Sequence, residues 1–174
     1  MQLLLTRQVV KSLRRELRRA GRREIGGLLM GEHVRDEVFR VVSISVQRSG
    51  GSQTCFIRQP QEHEAQLKEF FARTGADYTR FNYLGEWHSH PGFEPWPSNT
   101  DVRTMQSIVD DPMVGVNFLV LMIPRLGKRG RVELSAMAVR RDGPPFPARV
   151  STEQKEAHPA EGIALRCLRR IFRL

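Results

Sequence analysis

Cysteine is almost missing from this chain: 174 residues carry two, Cys55 and Cys167, with no Cys-x-x-Cys pair. A disulfide-built scaffold is thereby excluded, and a reducing compartment fits best. Long apolar runs are missing as well. The opening Met1-Gln2-Leu3-Leu4-Leu5 gives way to Arg7, far short of a secretory segment or a membrane span, so a cytoplasmic protein with no membrane span is expected. Internal repeats are absent. Acidic residues are in deficit, 19 against 28 lysines and arginines, for a formal charge of +9. Such an excess favours acidic partners and is compatible with nucleic acid, but it names a sign and no partner.

What is present is a globular composition, 40% hydrophobic and 27% charged, at a length that fits one domain and one active site. From Thr6 to about Ala20, apolar Val10, Leu13, Leu17 and Ala20 recur at helical spacing, with Thr6 to cap and Gly21 to stop. Glu24 then opens Ile25-Gly26-Gly27-Leu28-Leu29-Met30-Gly31, an apolar, glycine-bearing run that predicts a buried strand approached closely by another backbone. A strand is expected over 38–46, and a polar loop over 47–59 whose length invites a binding role. Pro60 precedes a second helix over 61–73, with Leu67, Phe70 and Phe71 on one side. Extended chain follows over 81–90, a helix over 98–110, and strands over 114–123 and 131–139. The interleaving predicts a mixed α/β sheet packed by helices. Asp142-Gly143-Pro144-Pro145-Phe146-Pro147 breaks the pattern, which suggests a catalytic domain over 1–141 and a basic, helical tail over 142–174.

The chemistry concentrates in one stretch. In an extended chain alternate side chains share a face, so His88 and His90 point together and Ser89 points oppositely. Pro91 ends the strand, and the chain crosses to Ser98-Asn99-Thr100-Asp101, which puts Asp101 in the first turn of the next helix. Two imidazoles and one carboxylate are the ligand number and type of a catalytic zinc with an open position for water. Each piece also has a plain structural reading. Ser98-x-x-Asp101 is a helix capping box, a lone histidine at a strand end is usually just a satisfied polar residue, and Glu24 beside Arg22 and Arg23 is a surface ion-pair residue. Together, His-x-His-Pro, six residues and Ser-x-x-Asp fix five identities, with a chance match of order 10⁻⁷ per start if each is about one in twenty.

That set, His88, His90, Pro91, Ser98 and Asp101 behind an early Glu24, resembles the JAB/MPN (JAMM) metalloprotease family without departure. The flanking Glu24 to Gly31 and Gly85 to Gly92 look like the family pattern too, and the resemblance covers about 6–139. It implies a cytidine-deaminase-like fold, a mixed sheet between helices. It implies Zn2+ on His88, His90 and Asp101, Glu24 as general base, and Ser98 as a hydroxyl donor to the tetrahedral oxyanion. It further implies cleavage of a ubiquitin-like protein from its conjugates or precursor, and compact bacterial members are encoded beside activating-like and conjugating-like enzymes, some in antiviral defence operons. A sulfur-carrier-processing peptidase is the second enzymatic reading. Phe93 and Trp96, between the ligands, either line a substrate channel or belong to the core.

A basic nucleic-acid-binding or scaffolding module is the reading from another class. Arg14, Arg15, Arg18, Arg19, Arg22 and Arg23 make two basic rows on the first helix, suited to nucleic acid or an acidic protein, or simply solvated; the solvated face is preferred and nucleic acid disfavoured. Leu168, Ile171 and Phe172 would give a tail helix over 161–172 a means to cover the domain or dock a partner. His33, in a hairpin turn, His63, on an exposed helix face, and His158, in the tail, are expected to be structural.

Overall fold

The computed structural model describes residues 1–52 and 58–153. Cys55, Cys167, His158 and the expected helix over 161–172 lie outside the described residues. After a short strand β1 (Gln2–Leu5), helix α1 (Arg7–Ala20) starts where Thr6 Oγ1 accepts from Val9 N at 3.3 Å, and it closes at Gly21. Its buried face is Val9, Leu13 and Leu17; of the expected stripe Leu13 and Leu17 are buried, Val10 and Ala20 are half-buried, and Val9 takes the inner place given to Val10. The fourth buried residue, Glu16, is held by Arg15, Arg19 and Arg48, so two arginines of the basic rows are already engaged within the protein.

The remaining elements are β2 (Gly26–Arg35), β3 (Val38–Ile44), α2 (Gln61–Arg73), β4 (Phe81–His88), α3 (Asn99–Asp110), β5 (Phe118–Leu126), β6 (Val132–Arg140), β7 (Phe146–Pro147) and β8 (Arg149–Thr152). The eight strands form one mixed sheet in the order β7-β6-β5-β4-β2-β3-β1-β8. β4 and β5 run parallel, as do β1–β3 and β1–β8, and the other pairs are antiparallel. This is a single α/β domain. Only Ala148 separates β7 from β8, yet they occupy opposite ends of the strand order, so the sheet curls until its two edges meet.

Curling wraps one face around α1. Val9 and Leu13 bury against Leu3, Leu5, Leu29, Val41, Trp87, Val120 and Met122 on that side. On the other side Met105 and Val109 of α3 meet Leu119, Leu121, Ile123 and Val139. Alternate residues of β5 thus enter different cores, which is why its sequence is apolar without interruption.

Three expectations need correction. β5 begins at Phe118, not Val114, because Asp111 holds a turn through Met113 N at 2.8 Å and Val114 N at 3.2 Å. Regular structure does not stop at Asp142, since β7 and β8 draw residues 146–152 into both sheet edges; at two and four residues they are too short to show a periodic pattern, and Pro147 is tolerated at an edge where no ladder donor is needed. His63 is not on an exposed face but 1% exposed. Its Nδ1 lies 2.8 Å from Ser45 Oγ and its Nε2 3.2 Å from Gln47 Oε1. Gln47 Oε1 can only accept, so Nε2 carries the proton and Nδ1 accepts from the serine, whose Oγ in turn accepts from Leu28 N at 2.8 Å. This chain ties α2 to β2 through a neutral imidazole.

Burial pushes His63 below its usual pKa, and the Arg58 charge pushes the same way against Glu62. The unfolded histidine protonates near about 6.5 while the folded one resists, so stability from this site is full above that pH and declines as pH falls towards the folded value. Urea midpoints measured between pH 7.5 and 5 should therefore fall more steeply for the wild type than for His63→Gln. The variant should itself be destabilised by about 1–3 kcal/mol at pH 7.5 through the lost hydrogen bonds. Parallel pH profiles would show that His63 does not carry this dependence.

Candidate metal centre

His88 closes β4, and its orientation depends on a bulge. Tyr83 pairs with Met30 and Gly85 with Leu29, which leaves Leu84 as an extra residue on β4. Gly85 sits at φ 142°, and a Cβ there would lie 2.0 Å from Val120 O, so only glycine lets β5 approach this closely. The extra residue resets the alternation. Leu84 and Trp87 both enter the α1 core, while Tyr83, Glu86 and His88 share the α3 side.

The two imidazoles meet there, Nε2 to Nε2 at 3.2 Å. Asp101 completes the group, its Oδ1 3.5 Å from His88 Nε2 and its Oδ2 3.9 Å from His90 Nε2. Asp101 is aimed by the cap of α3: Ser98 Oγ accepts from Asp101 N at 3.2 Å, and Asp101 Oδ2 accepts from Ser98 N at 2.7 Å. The capping box that Asp101 closes also places its carboxylate beside both imidazoles, so a cap and a ligand role are compatible in one arrangement. Burial by itself would raise the Asp101 carboxyl, but the bonds from His88 and Ser98 outweigh it and hold the group well below the usual carboxylate range. Burial pushes His90 down, and neighbouring His88 adds to that against Asp101. Ionised aspartate and neutral imidazole are the forms that bind a metal.

The spacing of these side chains suits a zinc ion. Two N or O ligands at about 2.05 Å on one tetrahedral ion lie about 3.3 Å apart. The two Nε2 atoms stand 3.2 Å apart, Asp101 presents Oδ1 to His88 at 3.5 Å and Oδ2 to His90 at 3.9 Å, and one ligand atom from each residue lies within 4.8 Å of the others, so the residues present fit such an ion once the carboxylate turns one oxygen inward.

Glu24 reaches the same place from the far end of the chain. It precedes β2, is 5% exposed, and lines a cavity of about 930 Å³ with His88, His90, Ser98 and Asp101. Its N donates to Ser52 O at 2.7 Å, and a Cβ on Gly51 would lie 2.0 Å from Glu24 O, so the Gly51-Ser52 backbone packs flat against it. Burial raises the Glu24 carboxyl above its usual value, with His88 opposing and Asp101 adding. Ser89 locks the two segments together. Buried and facing away from the ligands, it accepts from Ile25 N on Oγ at 3.0 Å and donates its own N to Ile25 O at 2.8 Å.

Sequence reasoning passed over Ser89, although alternation placed it opposite the histidines, beside whatever strand pairs with β4. It also passed over Arg125, which donates to Phe93 O and Glu94 Oε1 at 3.0 Å and so fastens the loop between the ligands; a single arginine 24 residues beyond Asp101 gives no signal of that. Phe93 and Trp96 are 56% and 60% exposed and line the cavity, so they are not core.

With this geometry in place, residues 6–139 match the family described as "Prokaryotic homologs of the JAB domain". The chain belongs to that family. Its JAB domain is 36% identical over 115 residues to the "CD-NTase/cGAS isopeptidase" of Vibrio cholerae, covering 62% of this chain and 69% of that protein. It is 28% identical over 113 residues to the "Ubiquitin carboxyl-terminal hydrolase RPN11" of Saccharomyces cerevisiae, covering 65% of this chain and 35% of that one. A 26S proteasome subunit of Dictyostelium discoideum is 26% identical over 70% of this chain, which spans only 38% of that protein's length. Among solved structures, a protein from Desulfitobacterium hafniense superposes with a TM-score of 0.66 at 20% identity, over 91% of this chain and 97% of that one, a likeness of fold. Among the described residues no helix is long and apolar enough to cross a membrane.

Proposed function

We propose that this JAB domain is a zinc-dependent hydrolase that cuts the isopeptide or peptide bond following the C-terminus of a ubiquitin-like protein. Its setting would be the cytoplasm, in a bacterial conjugation system with activating-like and conjugating-like enzymes, of the kind found in antiviral defence operons. The observation that carries the reading is the meeting of His88, His90 and Asp101 donors at zinc-ligand spacing, with buried Glu24 in the same cavity. The 36% identity to a protein named an isopeptidase supports a conjugate over a sulfur-carrier precursor as substrate.

His88, His90 and Asp101 would hold the ion, which when bound supplies Lewis acidity and brings the pKa of water down to about 7. Glu24 takes the proton of the attacking water on a carboxylate oxygen and returns it to the leaving amine, which as an anion is far too basic to depart. Its raised carboxyl pKa suits both halves of that task. Ser98 Oγ already accepts from Asp101 N, and its own O–H remains to donate to the developing oxyanion. The Asp101 carboxylate takes the Ser98 N–H, and Ser98 is assigned as a donor and not as a nucleophile.

The test is incubation of purified protein with ubiquitin-like fusions carrying a C-terminal extension, and with isopeptide-linked conjugates, read by mass spectrometry. Release of the free C-terminus, stopped by a chelator and restored by zinc, is expected; intact fusions and conjugates throughout would sink the reading. Cleavage of a sulfur-carrier precursor alone would transfer it to the second enzymatic class. In the same assay Ser98→Ala should turn over about 10²–10³-fold more slowly with its zinc retained. Loss of the cap acceptor should also destabilise α3 by about 1 kcal/mol.

A further inference from the structure

Glu86 and Arg58 stand on the wall of the metal cavity and have no part in the chemistry above. Glu86 shares the α3 side of β4 with His88, two residues away, which in an extended strand is about 6.7 Å along the chain. Its side chain is 12% exposed and lies 2.7 Å from Arg58 Nε. The pair is held at both ends. Tyr83 donates its hydroxyl to Glu86 Oε1 at 3.3 Å. Beside Arg58, Gln59 N donates to Gln47 Oε1 at 2.7 Å, the oxygen that also accepts from His63 Nε2.

An ion pair that solvent still reaches contributes little to stability. Pre-positioning a donor is a better use for it. A guanidinium has five N–H groups, and one carboxylate engages a single edge of that fork. The Arg58 side chain, 31% exposed, therefore has donors left over on the cavity side. The same cavity is lined by apolar Met105, Ile108 and Leu121.

We propose that Arg58, oriented by Glu86, binds a main-chain carbonyl of the substrate about two residues before the scissile bond. This rests on the hydrolase reading above. The choice of side follows from the chemistry of an isopeptide: the leaving group is a lysine side chain, which offers no carbonyl within about two extended residues, or roughly 7 Å, of the bond. The acyl side is a peptide that carries one at every residue. Arg58 is thus a determinant of how much acyl chain the enzyme reads, and an aliphatic side chain of that same segment fits over Met105 and Leu121.

Two amide substrates with a common fluorogenic amine separate the cases, one bearing the last six residues of a ubiquitin-like protein and one bearing only the last two. For the zinc-loaded wild type, kcat/KM should be higher with the longer acyl chain. In Arg58→Ala the ratio of long to short should fall about 10- to 100-fold, through KM for the long substrate, as expected for a lost hydrogen bond to a charged group. Arg58→Lys should recover part of it, having charge without the fork. An unchanged ratio overturns the proposal even if both rates drop together. Should the wild type cut neither substrate, the fusion and conjugate assay above decides on the hydrolase reading, and the anisotropy of the labelled six-residue peptide acid still decides on Arg58. A binding loss of the same factor supports the proposal, and equal affinity of wild type and variant overturns it.

Discussion

Glu24→Gln should bind zinc as the wild type does and turn over about 10²–10⁴-fold more slowly, the range of one positioned general base. The substitution preserves shape and removes only the proton-accepting oxygen. Glu24 lies in the cavity without being one of the three clustered donors, so metal content should stay at that of the wild type. Its backbone anchor on Ser52 O and the Ser89 clamp on Ile25 do not involve the side chain, so the fold should persist. Burial of a charged carboxylate is unfavourable, and Glu24 is 5% exposed, so the neutral variant should unfold at an equal or higher temperature. Activity lost, metal kept and stability kept or raised is a pattern a merely structural residue would not produce. Full activity in the variant, measured with the metal content known, would remove Glu24 from the mechanism.

The meeting of His88, His90 and Asp101 was legible in the sequence because its parts are local. Strand alternation puts His88 and His90 on one face, and a cap-forming Ser-x-x-Asp puts Asp101 in a first turn; both are rules of one element. Glu24 is different. Its place beside the ligands depends on β2 pairing with β4 in one register, Gly26 against His88, across 62 residues of chain, and only the family resemblance pointed to it. The Gly85 bulge was not legible at all. Simple alternation puts Leu84, Glu86 and His88 on one face, whereas the extra residue sends Leu84 to the α1 core and leaves Glu86 beside the site. His63 was misread for a related reason: one polar residue in a helix of weak amphipathicity looks solvated until Ser45 and Gln47, from another segment, are seen to satisfy it. What the sequence concealed was set by contacts between elements, and the two-residue β7 and four-residue β8 are the extreme case.

Asp101 carries two duties, and the second large effect separates them. Asp101→Asn keeps an oxygen able to accept from Ser98 N, so the α3 cap survives, but it replaces an anionic ligand by a neutral amide. Outer-shell substitutions around metals lower affinity by about 10–100-fold, and loss of one of only three ligands should exceed that. The variant should emerge from a zinc-containing buffer with near-zero metal by elemental analysis and with activity at background, while its helical circular dichroism matches the wild type. His88→Ala should lose metal and activity in the same way without touching the cap. If Asp101→Asn retained one zinc per chain, its carboxylate would be a cap and nothing more, and the two histidines would need a different third ligand. Among the described residues, His88, His90 and Asp101 are the cluster able to hold an ion, so such a result would remove the metal centre as drawn and the hydrolase reading with it.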